Sequence, residues 1–424
     1  MKVPTVDLDI GMYVSGLDRP WLGTPFVTQG FFIESADDIE RLRQHCDWVL
    51  VDSRRSHKPK VLRPKPVRSP ETGGGTDKNR LERRRVPIRQ IFHGRTIAPY
   101  SDDTYWEDEQ PLANEALDTL VHDIDDMFGD VSGGQKLNVI RLRKSVEPVV
   151  DSISRNPDAC LWVARLKRHD KYTYKHSLGA SIWAVSMGRQ LGLPRHDLRS
   201  LAMGCMLMDV GKLRVDQELL QADRELNVEE MAEVASHVNH GLDILQESGV
   251  MNQDVLDMVA HHHERYDGSG YPAGLHNNQI PPFARIAGIV DTYDAITTAR
   301  SYADALSPSD AIKVLYRARD VDFQAELVEA FIQAIGIYPA GTLVELSSGE
   351  VGVVVAEYRT RRLRPKVMIL LDDKKRQLRK SRVIDLQELS AANGNLPLSI
   401  VRSLEPEAFG IDLADVASRI APVS

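Results

Sequence analysis

From Leu112 to Gly336 apolar residues recur every three or four positions, and several of these runs close on glycine, as helices that bury one face do. LANEALDTLVHDIDDMF, KLNVIRLRKSVEPVVDSI, SLGASIWAVSMGRQLGL and DLRSLAMGCMLMDVG each predict such a helix. The flanks differ. Over residues 1–52 short apolar runs, DIGMYVSGLDRPW and PFVTQGFFI, are cut by Gly and Pro, and ADDIERLRQHC predicts a short helix feeding the strand DWVLVD. After Gly336 the texture is β again: GTLVELSSGEVGVVVAEY and PKVMILLDD predict two or three strands with turns. Between the first two regions, Arg54 to Arg85 has no apolar periodicity, twelve Lys/Arg against three acids, and repeated Pro and Gly. Such a stretch, 54–87, reads as a flexible linker or long loop. The fold is therefore expected to be mainly α, with a small α/β domain over 1–135, a helical domain over 136–336 and a β-rich segment over 337–424.

Composition narrows the picture. The chain of 424 residues carries a net charge of -8, which does not fit a DNA- or RNA-binding surface. Its three cysteines are far apart and form no CxxC, so no disulfide framework is expected and a reducing compartment fits. The start MKVPTVDLDIGMYV has no apolar signal core, and no later run approaches a membrane span of ~20 apolar residues. A cytoplasmic address is the expectation.

Polar groups on apolar faces carry the chemistry. His176 heads a helix face of Ala180, Trp183, Ala184, Met187 and Leu191; Asp209 shares a stripe with Leu198, Ala202 and Cys205. A carboxylate turned to the core needs a cation or several donors. His237 lies on the face of Val234, Val238, Gly241 and Leu245, with His240 as its competitor about one turn away. Asp291 follows Ile289 and Val290 on a small-residue helix. The run AHHHERYDGSGYPAGL holds three consecutive histidines. Adjacent helical side chains point ~100° apart, so His261, His262 and His263 cannot all meet one ion. His262 faces inward with Val255 and Val259; if the core lies on the Leu256 and Val259 side, His263 joins it and His261 turns outward. Converging, His176, Asp209, His237, His262, His263 and Asp291 suggest two metals, since a carboxylate can bridge ions ~3.5–4 Å apart. Mixed imidazole and carboxylate donors suit Fe or Mn.

HHERYDGSGYPAGL followed by IPPFARIAGIVDTYDAITTARSY resembles the signature of HD-GYP domains, a branch of the HD phosphohydrolases, and DKYTYKHS and SHVNHGLDIL extend the likeness over roughly 140–335. The first residues resemble a domain of unknown function often found ahead of such modules, and the tail resembles the β-rich end that follows them. The resemblance implies hydrolysis of cyclic di-GMP or a related cyclic dinucleotide to the linear dinucleotide or onward to GMP. It places the metal ligands at His176, Asp209, His237, His262, His263 and Asp291, a site wall at Gly270, Tyr271 and Pro272, and a substrate contact at Arg300. Lys212 matches a lysine that neutralises a phosphate oxygen or helps the leaving 3′-oxygen. A diguanylate cyclase-type signalling partner, met through the 270–272 loop or the N-terminal domain, and a homodimer are further implied.

Three departures bear on that expectation. The dyad of the superfamily is His-Asp, and here it is Met208-Asp209; a thioether is a poor donor to Fe or Mn, so one site is expected to be weak. Tyr172 stands where a third metal would need an acid, which caps the count at two. Ala303 stands where a basic residue is often found, weakening phosphate contacts. The competing expectation is a degenerate module that senses a cyclic dinucleotide, or docks a partner, without turnover.

Overall fold

A computed structural model describes residues 2–17, 31–33, 36–46, 48–51, 86–166, 175–222, 224, 226–298, 305–357, 363–387, 398–413 and 416. The linker or loop expected over 54–87 lies outside these residues except at its last two positions. Contacts divide the chain into two compact units, Met1–Glu82 and Arg83–Ser424.

In the first unit β1 (Lys2–Pro4), β2 (Tyr13–Leu17), β3 (Phe31–Phe32), α1 (Ala36–His45) and β4 (Trp48–Val51) follow in sequence. The strands form an antiparallel sheet of order β1-β4-β2-β3. Val3, Val14, Ile33 and Val49 meet Leu42 of the helix in one core. This is the α/β arrangement that the alternating apolar runs predict.

The second unit opens with α2 (Ile88–Ile91), α3 (Trp106–Ser132), α4 (Val139–Arg155), α5 (Pro157–Leu166), α6 (Lys175–Gln190) and α7 (Arg195–Leu207). There follow α8 (Gln217–Leu220), α9 (Val228–Ala235), α10 (His237–Glu247), α11 (Gln253–His261), α12 (Pro282–Ile296), α13 (Pro308–Arg317) and α14 (Ala325–Ile335). Local chemistry sets several of the starts. The side chains of Asn138 and Asn252 accept the N–H groups of Arg141 and Val255, and Asn227 and Glu230 close a capping box. The apolar face read for α6 is fully buried, with Ala180, Trp183, Ala184 and Met187 at 0% exposure. Leu117, Leu120, Ile124 and Phe128 of α3 belong to the same core as α4 to α7. The boundary expected at 135 therefore does not coincide with a break in packing: α3 buries its apolar stripe in the helical unit.

The C-terminal β segment is larger than the two or three strands expected. β5 (Leu343–Leu346), β6 (Val351–Ala356), β7 (Lys366–Leu371), β8 (Gln377–Asp385) and β9 (Ile400–Ser403) form one antiparallel sheet of order β8-β7-β6-β5-β9. One face, with Leu343, Val351 and Val353, joins the helical core, and the other forms its own cluster of Val344, Val354, Val367 and Ile369. Burial on both faces explains why β6 and β7 read as continuous apolar runs. β8 escapes the sequence because it is a polar edge strand with no apolar alternation. Cys46, Cys160 and Cys205 are buried thiols. Among the described residues no helix is long and apolar enough to cross a membrane.

Candidate metal centre

The six side chains come from α6, α10 and α12 and from the turns that follow α7 and α11. His176 sits in the first turn of α6, and Asp209 follows the end of α7 at the start of a tight turn, Val210–Arg214. His237 opens α10, and Asp291 lies on α12. The three histidines behave differently from an unbroken helix: α11 ends at His261, His262 caps it and His263 stands beyond. Donor atoms of Asp209, His237, His262 and His263 lie within 4.8 Å of one another, and so do those of His176, Asp209 and Asp291. Asp209 belongs to both groups. His240 and His261 belong to neither.

Hydrogen bonds fix how the rings face. His237 Nδ1 donates to the Val234 carbonyl at 2.7 Å, and His262 Nδ1 to the carbonyls of Met258 and Val259 at 3.2 and 3.1 Å. With Nδ1 committed to a carbonyl, Nε2 of each ring is left as the atom that can ligate at the cluster. Those two Nε2 atoms lie 3.5 and 3.8 Å from Asp209 Oδ1. Asp209 Oδ1 and His263 Nε2 are buried without a hydrogen-bond partner. Buried acceptors left unmet cost about 1–3 kcal/mol each. A divalent cation meets both, so the donor set fits a metal.

Charge is arranged to match. Burial alone would raise the Asp209 carboxyl, but the Lys212 ammonium, with His262 and His176 adding, holds it well below the usual carboxylate range. Lys212 Nζ donates to Asp209 Oδ2 at 2.8 Å. Burial pushes His237 down to about 4 and His263 well down, with the neighbouring imidazoles adding. Both are neutral at pH 7 and ready to ligate. His176 is the opposite case. Burial pulls it down, yet Asp291 on Nε2 at 2.7 Å and Asp294 on Nδ1 at 2.9 Å outweigh this and hold it at about 10. At pH 7, below that value, His176 is protonated and must lose the proton to take a metal. Filling the His176 group at pH 7 is thus expected to release about one proton per chain from this ring, read by calorimetry in buffers of different ionisation enthalpy. No buffer dependence on filling that group would contradict it.

The family likeness can be set beside this geometry. The HD domain matches residues 160–327, the Domain of unknown function (DUF3391) residues 1–141, and the KOW domain associated with HD domain residues 343–410. The chain is similar to a cyclic di-GMP phosphodiesterase of Pseudomonas aeruginosa, 31% identical over 396 residues, covering 91% of this chain and 88% of that one. The chain belongs to the HD-GYP family. Shorter likenesses cover about a third to two fifths of the chain. A cyclic di-GMP phosphodiesterase response regulator of Xanthomonas campestris is 36% identical over 150 residues, 35% of this chain and 39% of that protein. A 3'3'-cGAMP-specific phosphodiesterase of Vibrio cholerae is 28% identical over 169 residues, 40% of this chain and 32% of that protein.

Within this HD-GYP domain the signature loop lies against the cluster. The Tyr271 ring stacks on His263, with centroids 4.6 Å apart and planes at 21°. Gly270 and the exposed Pro272 flank it. Met208, the departure from the dyad, is 0% exposed and part of the apolar core. Arg300, Tyr172 and Ala303 lie outside the described residues.

Two carboxylates that sequence reading passed over complete the site. Asp294, 1% exposed, receives His176 Nδ1 and the Trp183 Nε1–H, each at 2.9 Å, and so fixes the His176 ring. Its signal was its place three residues after Asp291, on the same face of α12. A Cβ at Gly179 would run into the Asp294 carboxylate. Gly179→Ala should therefore displace Asp294 and weaken metal binding at the His176 group by about 10–100-fold, leaving the three-histidine group loaded. Metal titration resolves the two. The second carboxylate, Glu264, is taken up below.

Proposed function

We propose that this chain is a metal-dependent phosphodiesterase that hydrolyses a cyclic dinucleotide, cyclic di-GMP by its nearly full-length relative, to the linear dinucleotide. The observation that carries the reading is Asp209: one buried carboxylate shared by two donor groups, with one oxygen unmet and the other on Lys212. Two divalent ions, Fe or Mn by the chemistry of the donors, would supply positive charge at the reacting phosphate and lower the pKa of the attacking water. Asp209, His237, His262 and His263 would hold one, and His176, Asp209 and Asp291 the other. Lys212 offsets negative charge growing on the phosphate or on the leaving 3′-oxygen. The 270–272 loop walls the site and orients the substrate, and Arg300 contacts the dinucleotide.

Met208 favours a second reading. Buried and apolar, it leaves the His176 group with three protein donors, so a module that binds a cyclic dinucleotide without turnover is the rival. Turnover of cyclic di-GMP and of hybrid cyclic GMP–AMP by the full chain, reduced and anaerobic, with added Mn²⁺ or Fe²⁺, separates the two. Linear product at two ions per chain is expected; substoichiometric metal and no linear product would favour the sensor. A diguanylate cyclase-type partner, a homodimer and a cytoplasmic address complete the proposal, the partner docking through the 270–272 loop or the N-terminal domain.

A further inference from the structure

We infer that Glu264 is a positioning residue that pins the signature loop to the end of α11 and thereby sets Tyr271 over His263. The inference rests on the phosphodiesterase reading only for its kinetic arm. The Glu264 side chain is 0% exposed. A buried carboxylate needs donors, and Glu264 finds two in the loop backbone: Ala273 N–H at 2.8 Å on Oε1 and Leu275 N–H at 3.0 Å on Oε2. One carboxylate thus grips the chain on both sides of Gly274, where the loop turns back.

The other end of the loop is held by close approach. A Cβ on Gly270 would collide with Arg265 N and His263 O and come within 2.5 Å of Glu264 Cα. Glycine at 270 therefore lets the loop lie directly on the turn that carries His263 and Glu264, and Tyr271 N–H then donates to His263 O at 3.3 Å. Tyr271 is caught between these two anchors. Its ring has little freedom except to cover His263, whose Nε2 faces the cluster. His261, the histidine that leaves the metal groups, turns its Nδ1 to within 3.9 Å of Glu264 Oε1. The three histidines therefore divide between the metal groups and the residue that shapes the loop.

Glu264→Gln keeps the size but leaves one acceptor oxygen for two N–H donors. In the full chain, amide exchange at Ala273 and Leu275 is expected to quicken by about tenfold or more, with metal content unchanged. KM for cyclic di-GMP should rise by about tenfold with kcat within about threefold, because the loop orients substrate and holds no ion. Tyr271→Ala should raise KM similarly, and the double variant no further, since both act through one ring. Ala273→Pro removes one donor while leaving the buried carboxylate intact, and should shift exchange at Leu275 and KM in the same direction should Glu264→Gln fail to fold. Unchanged exchange at 273 and 275 would overturn the pin. Loss of metal in Glu264→Gln would overturn it too, by making Glu264 a support of the ligands. The exchange arm stands whether or not the chain turns substrate over, so its failure and that of the hydrolase reading are distinct.

Discussion

Asp209→Asn is expected to empty both metal groups at once and to lower turnover by about 10³-fold or more. Every other ligand position serves a single group, so removing one should cost one ion; Asp209 serves both. The amide keeps the shape of the side chain but not the charge that four imidazoles and Lys212 surround. It also puts an N–H donor that cannot ligate a cation into the cluster, beside the Lys212 ammonium. Metal analysis of the purified variant reads the effect directly. Under about half an ion per chain, against two in the unaltered protein, is the expected result, and retention of one tightly held ion would show that the groups are independent. The comparison needs Asp291→Asn beside it, which should lose the ion of the His176 group alone.

Met208→His should act in the other direction. The position caps α7 immediately before Asp209 and is buried among apolar side chains. An imidazole there without a partner would destabilise the fold by about 1–3 kcal/mol. With metal present it becomes a fourth donor to the His176 group, so the penalty should vanish and occupancy of that weaker group at limiting metal should rise. The sign of the stability change should therefore depend on metal: the variant melts below the unaltered chain after chelation and at or above it after loading. If metal content and melting are both indifferent to the substitution, Met208 does not sit at the ion of the His176 group, and the weakness assigned to that group has another origin.

How much of this was legible before folding depended on which physical signal a residue left. His176 and Asp209 stood out because a polar group on an apolar face is costly, and cost is readable from periodicity alone. His262 and His263 were harder. Helical angles separate three consecutive rings, but α11 ends at His261, so the placement of His263 is decided by the turn rather than by the helix wheel. Asp294 and Glu264 left almost no trace. Each is a carboxylate whose partners, a histidine ring and two loop amides, come from other elements or from beyond a turn. The polar edge strand β8 was invisible for a related reason, since what makes it a strand is its neighbour β7. The reach of α3 into the helical core was missed because an amphipathic helix announces that it has a buried face, and not which body buries it.

The shared carboxylate is the centre on which the chemistry turns, and diffraction can test it most directly. Crystals of the full chain, grown reduced with Mn²⁺ and measured at an anomalous wavelength, should show two peaks flanking Asp209, one beside His237, His262 and His263 and one beside His176 and Asp291. A single peak remote from Asp209, or two peaks that do not share its carboxylate, would contradict the two-ion site.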